Sequence, residues 1–159
     1  MSRYYELIAS LKNKCRKKRV KYNKIIRTLN KYIYDEIIYM IEIINDDNII
    51  DIIEDIIEER IVIANNIENM YKSLPLMNDY LAIFNKEPQP SLTKARKLFK
   101  TKIFINIYDF HSQKYNKRTT KELLRNSFKE YPETMFPLKL AKERGFQCLL
   151  ISNRYRHTS

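Results

Sequence analysis

Apolar side chains recur at every third or fourth position through the first half of the chain. Alternating steps of four and three residues meet an apolar or amphipathic side chain at eight of nine positions. These nine positions are Tyr4, Ile8, Leu11, Cys15, Lys18, Tyr22, Ile25, Leu29 and Tyr32. The spacing predicts a helix with one continuous apolar seam, for which Ser2 stands at the N-cap position. Because residues 4–74 contain no Gly or Pro, we expect this first helix to run unbroken to Asn45.

A second long helix is predicted after the polar cluster at residues 45–48, whose short side chains cap helices more readily than they continue them. Only Arg60 interrupts its apolar seam, and Pro75 is expected to end it. The seam consists of Ile49, Ile53, Ile56, Ile63, Ile67, Met70 and Leu74. Acidic residues between 54 and 59 recur in pairs separated by Ile pairs, a period near four that argues against a strand. The two helices together predict a long antiparallel hairpin.

The rest of the chain is shorter and holds the only Gly and both His residues. A short helix at residues 76–84 is predicted to cover the open end of the hairpin. Two Pro residues in a polar setting mark residues 86–90 as a linker. We therefore divide the chain into a helical hairpin domain at residues 1–85, a linker at 86–91 and a small basic domain at 92–159.

Residues that typically begin or end helices predict three helices in the basic domain. Ser91 is placed to cap a short helix that is rich in Lys. Thr119 and Glu122 have the spacing of a capping box, which opens a second helix. Pro137 suits the first turn of a third helix, and Gly145 is its natural end.

Two short strands are also predicted in the basic domain. Residues 102–110 are mostly β-branched and aromatic, and residues 148–151 form a short apolar run after a Gly. We expect 148–151 to pair with 103–109. The fold predicted for the whole chain is therefore mainly α, with a long N-terminal antiparallel helical hairpin followed by a small α+β unit.

Charge is segregated along the chain. Residues 1–34 carry eleven Lys or Arg against one acid, and residues 35–69 carry eleven acids against one Arg. Residues 91–159 carry sixteen bases against five acids, and the net charge of the whole chain is +11. A turn at residues 45–48 would place two acidic segments side by side. Pairing of the opposite charge blocks then requires either a second bend near Asn30 or antiparallel docking on another copy of the chain.

The basic residues predict contact with the phosphates of DNA or RNA. The candidate nucleic-acid-binding residues are Lys12, Lys14, Arg16, Lys17, Lys18, Arg19, Lys21 and Lys24 in the first half, and Lys114, Tyr115, Lys117 and Arg118 in the second. Tyr115 or Tyr155 is expected to stack on an unpaired base. Residues 17–21 have the pattern of a nuclear localisation signal. We expect a non-enzymatic nucleic-acid-binding protein. The alternative explanation of the basic run is an ordinary solvent-exposed helix face that lacks acidic residues.

An alternative function is that of a helical adaptor or self-associating interaction module with opposite charge blocks. The apolar faces of both hairpin helices are wider than a two-helix contact can cover, and Ile50, Ile57 and Ile61 extend the second one. A homodimer, a helical protein partner or close docking of the C-terminal unit would cover the remainder.

Enzymatic chemistry has little support in the sequence. Asp109 and His111 are spaced as an acid–base pair, but no nucleophile motif accompanies them. We predict no catalytic residue, no cofactor and no metal site, because the His and Cys residues lack the spacing of a zinc motif. Cys15 and Cys148 are expected to be reduced thiols of an intracellular protein, which enters the nucleus if its source is a eukaryote or a virus of eukaryotes. No run approaches the roughly 20 apolar residues of a membrane span, so no membrane partner is expected.

Overall fold

The computed structural model describes residues 2–150, and this part of the chain forms nine α-helices and three 3₁₀ turns without a β-strand. The helices are Arg3–Lys18 (α1), Tyr22–Lys31 (α2), Tyr34–Ile44 (α3), Asp47–Tyr71 (α4), Leu74–Ile83 (α5), Leu92–Lys102 (α6), Ile107–His111 (α7), Lys121–Glu130 (α8) and Leu138–Arg144 (α9). The 3₁₀ turns are Tyr115–Lys117, Pro132–Thr134 and Gln147–Leu149. The prediction of a mainly helical protein is confirmed, whereas no α+β unit forms within the described residues.

The first predicted helix is divided into α1, α2 and α3, so the prediction that it runs unbroken to Asn45 is wrong. Arg19, Tyr32 and Asn45 end these helices in the left-handed conformation, with φ of 57°, 55° and 44°. Left-handed backbone at a residue other than Gly costs about 1–2 kcal/mol. Full burial of one Ile or Leu side chain contributes about 1.5–3 kcal/mol. The three apolar side chains that α2 buries therefore outweigh the cost of the bends.

Because of these bends, α1 and not α3 is the main neighbour of α4, and it runs antiparallel to it. Arg3 Nε lies 3.5 Å from Glu59 Oε2 near one end of the pair. Lys18 Nζ lies 3.7 Å from Asp46 Oδ2 near the other end. A bend near residue 30 is one of the two alternatives for pairing the charge blocks. The chain does bend there, at Tyr32, and α3 contacts α2.

The apolar seams read from the spacing are confirmed within α1 and α4, although the first is not continuous to Tyr32 and Leu74 belongs to α5. The seam residues that are buried are Tyr4, Ile8, Leu11 and Cys15 on α1 and Ile49, Ile53, Ile56, Ile63, Ile67 and Met70 on α4. Asp46, from the polar cluster, begins α4 by accepting a hydrogen bond from the N–H of Ile49. Pro75 does not end α4. It lies in the first turn of α5, where a backbone N–H would have no acceptor within the helix, so the lack of one in Pro costs no hydrogen bond.

The prediction of two strands is wrong, because neither forms within residues 2–150. Residues 102–110 contain the end of α6, an extended link and the start of α7. Asn106 begins α7 by accepting a hydrogen bond from the N–H of Tyr108 at 2.8 Å. The second expected strand is occupied by the turn Gln147–Leu149, and Ile151 lies outside the described residues. A single strand would leave its backbone groups unpaired, so a short helix buries the aromatic side chains instead.

The predicted helix caps are correct at three places and displaced at a fourth. Ser2 and Ser91 cap α1 and α6 through their side chains, and Gly145 ends α9 with φ of 81°, a conformation that costs Gly little. The cap of α8 is Thr120, one residue after the expected Thr119. The N–H of Thr119 is instead held by the carbonyl of Phe104 at 2.8 Å.

Most buried apolar side chains from both parts of the chain belong to one hydrophobic core, which extends from Tyr4 to Leu150, and Leu124, Phe128 and Met135 form a second, smaller cluster. The segment expected as a linker is fastened to α5, because the amide of Asn78 makes two hydrogen bonds to the backbone of Gln89, at 2.8 and 3.1 Å. The division of the chain into two domains at this segment stays a prediction.

Candidate nucleic-acid interface

Six basic residues lie in the last turns of α1, in the bend after it and in the first turn of α2, and we call them the basic corner: Lys14, Arg16, Lys17, Arg19, Lys21 and Lys24. All are exposed except Lys14, which is half-buried. Arg16 donates to Asn13 at 3.0 Å, and none of the six forms an ion pair with any residue between 2 and 150. Residues 7–34 contain no acid. The corner therefore carries positive charge that its own segment does not compensate.

Two other predicted bases of this run have acidic partners. Lys12 Nζ lies 2.8 Å from Oε1 of Glu133, whose side chain is buried. Lys18 forms the longer, partly exposed pair with Asp46. An exposed pair contributes at most about 1 kcal/mol, so Lys18 remains available to a phosphate, whereas separating Lys12 would strand a buried carboxylate.

The second group of predicted nucleic-acid-binding residues, 114–118, differs from the prediction that Tyr115 is available to stack on a base. The ring of Tyr115 packs against Phe84 and Phe110, with centroids 5.7 and 5.9 Å away. Arg118 Nη2 donates to the carbonyl of Lys102 at 2.8 Å. Of the four predicted loop residues, Lys114 and Lys117 have side chains without a hydrogen-bond or ring partner among the described residues, and both lie near enough to Asp109 to lower the pKa of its carboxyl.

The basic corner and the loop are not brought together. Lys114 lies with Ser2 and Arg3 around a cavity at the start of α1. The corner begins near the other end of this helix, whose 16 residues span about 24 Å. Tyr155, the other residue expected to stack on a base, lies outside the described residues.

Sequence reasoning missed the polar centre of the molecule, which is Arg60. This side chain is 1% exposed. Its Nε donates to the hydroxyl of Tyr108 at 3.0 Å, and its Nη2 contacts the hydroxyl of Tyr4 at 3.2 Å and Oδ1 of Asn30 at 2.6 Å. We call these four residues the Arg60 network.

The partners of Arg60 hold the backbone of residues 132–135. The four consecutive carbonyl oxygens of this segment each accept one side-chain hydrogen bond, in order from Asn30 at 2.9 Å, Tyr4, Asn106 at 2.6 Å and Tyr108 at 3.0 Å. The network thus joins the two halves of the chain around one buried charge.

The guanidinium of Arg60 remains charged although no described carboxylate is bonded to it. Burial lowers the pKa of Arg60. The oxygen atoms of Tyr108 and Tyr4 raise it by more, so the net shift of the pKa is upward. Burial raises the pKa of Tyr4 well above its usual value, so its hydroxyl stays protonated and can donate. A charge within an apolar seam requires buried polar partners. The interruption of the seam was therefore the sequence signal for this network.

Asp109 and His111, whose spacing alone suggests an acid–base pair, are not joined by a hydrogen bond in the described structure. Burial raises the pKa of Asp109, while its neighbours Tyr5, Lys114 and others lower it. Nε2 of His111 lies 2.9 Å from Nδ2 of Asn66. Burial lowers the pKa of His111, and Glu59 opposes this shift.

Two cavities adjoin at His111. The first, of about 360 Å³, is lined by aromatic, apolar and amide side chains, and the second, of about 340 Å³, contains charged groups. Among residues 2–150, no three His, Cys, Asp or Glu side chains are grouped so that they could hold a metal ion. None of the described helices has the length and hydropathy needed to cross a bilayer.

No protein-family model, curated protein or solved structure matches this chain. The function has to be inferred from the surface and cavities themselves.

Proposed function

We propose that this protein binds nucleic acid, without catalysing a reaction on it, by placing the basic corner against the phosphate backbone. The observation that carries the proposal is that the six bases of the corner, five of them exposed, lack ion-pair partners within residues 2–150. Lys18 lies beside the corner and adds a further charge once its partly exposed pair opens. Lys114 and Lys117 form a second, smaller contact.

The chemistry of the corner favours contact that does not depend on sequence. Lys side chains, which make up four of the six bases, act as flexible point charges on phosphate oxygens. Each phosphate neutralised releases counterions, so the logarithm of the affinity falls by about 0.9 per contact for each tenfold rise in salt. Full engagement of the corner on a duplex predicts a slope of about 5.

Two matched variants test the proposal. The corner variant changes Lys14, Lys17, Lys21 and Lys24 to Gln, and the control variant changes Lys94, Lys97, Lys100 and Lys102, which are exposed on α6. Both lose the same charge. Fluorescence anisotropy with a labelled duplex should show weaker binding and a slope lower by about 3.6 for the corner variant, because four contacts of about 0.9 each are lost. Equal losses in both variants would indicate a diffuse effect of net charge and would reject the corner as a site.

An intracellular location and entry into a nucleus are part of the same proposal. Residues 17–21 are accessible at the bend between α1 and α2 except for the half-buried Val20. A fluorescent fusion of the corner variant that still enters nuclei would show that these residues are not an import signal.

A second candidate function is self-association or docking of a helical partner, and α3 favours it. Tyr34, Tyr39 and Ile43 on this helix are 74%, 66% and 60% exposed. The same helix carries Asp35 and Glu36 in its first turn, so a basic partner such as the corner of a second copy would match it in charge. Sedimentation of the protein and of a variant with Ser at the three exposed positions tests this function. A monomer at all concentrations, with no capture of a basic helical peptide, would exclude it.

A further inference from the structure

The two cavities that adjoin at His111 have complementary chemistry. The wider one is lined by the rings of Tyr80, Phe110 and Tyr115, and Ile67 and Met70 are also among its lining residues. Phe110 is buried, and its ring lies 4.9 Å from that of Tyr80 and 5.9 Å from that of Tyr115, measured between centroids. A cavity with aromatic walls takes a flat ring by stacking.

The residues that line the same cavity include three with exposed amide side chains, Asn66, Asn69 and Gln113. Asn66 is engaged with His111. The side chains of Asn69 and Gln113 form no hydrogen bond within the described part of the chain. A primary amide offers a donor and an acceptor side by side, which is the arrangement that the edge of a nucleobase presents in return.

On the other side of His111, the second cavity offers groups for an anion. Its cations are Arg3 and Lys114, and Ser112 adds a hydroxyl. The one acid there is Glu59, which is paired with Arg3 Nε and has a side chain only 14% exposed. The side chain of Arg3 is 60% exposed, so its terminal nitrogens remain free for a phosphate.

We propose that these cavities form a site for one nucleotide, with the base in the aromatic cavity, the phosphate between Arg3 and Lys114, and His111 between them. The ligand class is a nucleoside 5′-monophosphate unit, and the source to which we commit is an unpaired nucleotide of a bound strand. This inference deepens the proposed function, because it gives the protein a preference for unpaired nucleic acid that phosphate contacts at the basic corner cannot provide.

The first test uses small probes. Titration with AMP, adenosine and ribose 5-phosphate is followed through the side-chain amide signals of Asn69 and Gln113 in ¹H–¹⁵N spectra. AMP should bind more tightly than adenosine, and ribose 5-phosphate should not shift the amide signals. The change Lys114→Gln should weaken AMP about tenfold, as expected for loss of one charge-assisted contact, and leave adenosine unaffected. Asn69→Leu should weaken both, and Lys97→Gln on α6 neither. Absence of any amide shift with AMP at millimolar concentration would overturn the proposal.

The second test separates a strand from a free nucleotide and from the basic corner. Asn69→Leu should weaken a single-stranded oligonucleotide and leave a blunt duplex unaffected, while the corner variant should weaken both and leave AMP binding intact. AMP could bind while Asn69→Leu changes the affinities for single strand and duplex by the same factor. That result would assign the site to free nucleotides and overturn the strand as the source. Failure of AMP to bind, with corner-dependent duplex binding retained, would overturn this inference alone and leave the proposed function standing.

Discussion

The Nε atom of Arg60 donates a hydrogen bond to the hydroxyl of Tyr108 at 3.0 Å, although 48 residues separate them in sequence. The bond links the middle of the longest helix to the segment that the residue pattern predicted as a strand. Tyr108 in turn donates to the carbonyl of Met135 at 3.0 Å, and its ring stacks on that of Tyr4 with centroids 3.6 Å apart. Tyr108 therefore joins α1 and α4 to the backbone of residues 132–135.

Removing the buried guanidinium should destabilise the fold. Arg60→Met keeps much of the volume but leaves the oxygen atoms of Tyr108, Tyr4 and Asn30 without a charged donor. We expect the free energy of unfolding in urea to fall by about 3 kcal/mol, partly offset by the apolar side chain. Arg27→Met is the control, because Arg27 is exposed on α2, and should change stability by less than about 0.5 kcal/mol. Equal effects in the two variants would show that Arg60 is not the centre of the network.

The coupling between Arg60 and Tyr108 can be measured directly. A double-mutant cycle of Arg60→Met and Tyr108→Phe should give an interaction energy of about 1–3 kcal/mol, since both changes remove the same hydrogen bond. The matched cycle replaces Tyr108→Phe with Tyr80→Phe, whose hydroxyl has no hydrogen bond to the described residues. That second cycle should be additive within about 0.5 kcal/mol. Additivity in the first cycle would contradict the assigned contact.

Stability should decrease as the solution is acidified through the usual pKa of His. Burial lowers the pKa of His111 below 6.5 in the folded protein, and Glu59 only partly opposes this. The unfolded chain then binds a proton first, so the free energy of unfolding falls as pH is lowered from about 7 to 5.

The matched protein for this measurement is His111→Gln, which keeps a polar side chain beside Asn66 but cannot titrate. Its unfolding free energy should depend less on pH between 5 and 7 than that of the parent. Contributions from Asp109 and from the other His are common to both proteins and cancel in the comparison. A parent and variant with the same pH dependence would rule out His111 as the titrating group.

The two thiols should differ in reactivity and remain unbridged. Cys15 is buried on the seam of α1 and burial raises the pKa of its thiol, whereas Cys148 is exposed. A thiol reagent should therefore modify Cys148 quickly and Cys15 only when the protein opens. Cys148→Ser should remove the fast phase and Cys15→Ala the slow one. A lower melting temperature in the presence of a reducing agent would instead reveal a disulfide.

The candidate site was only partly visible in the sequence. The basic corner follows from residue type alone, because a run of bases without acids is exposed wherever the helices place it. Tyr115 was predicted as a stacking platform, but its ring packs against Phe84 and Phe110 and forms one wall of a cavity. The amides of Asn69 and Gln113 are unremarkable in sequence. They line one cavity because α7, which the loop holding Gln113 follows, packs on α4.

The sequence by itself determined the helical seams of α1 and α4 and the helix boundaries at Ser2, Ser91 and Gly145. Periodicity and caps act within one or two turns of helix, so neighbouring residues specify them. Only the tertiary structure decided the bends at Arg19 and Tyr32, because left-handed backbone there is locally unfavourable and is outweighed by burial against distant helices. It also decided that residues 107–111 form a helix and that Arg60 lies at the centre. Both depend on partners far along the chain, which supply the hydrogen bonds that a buried backbone and a buried charge require.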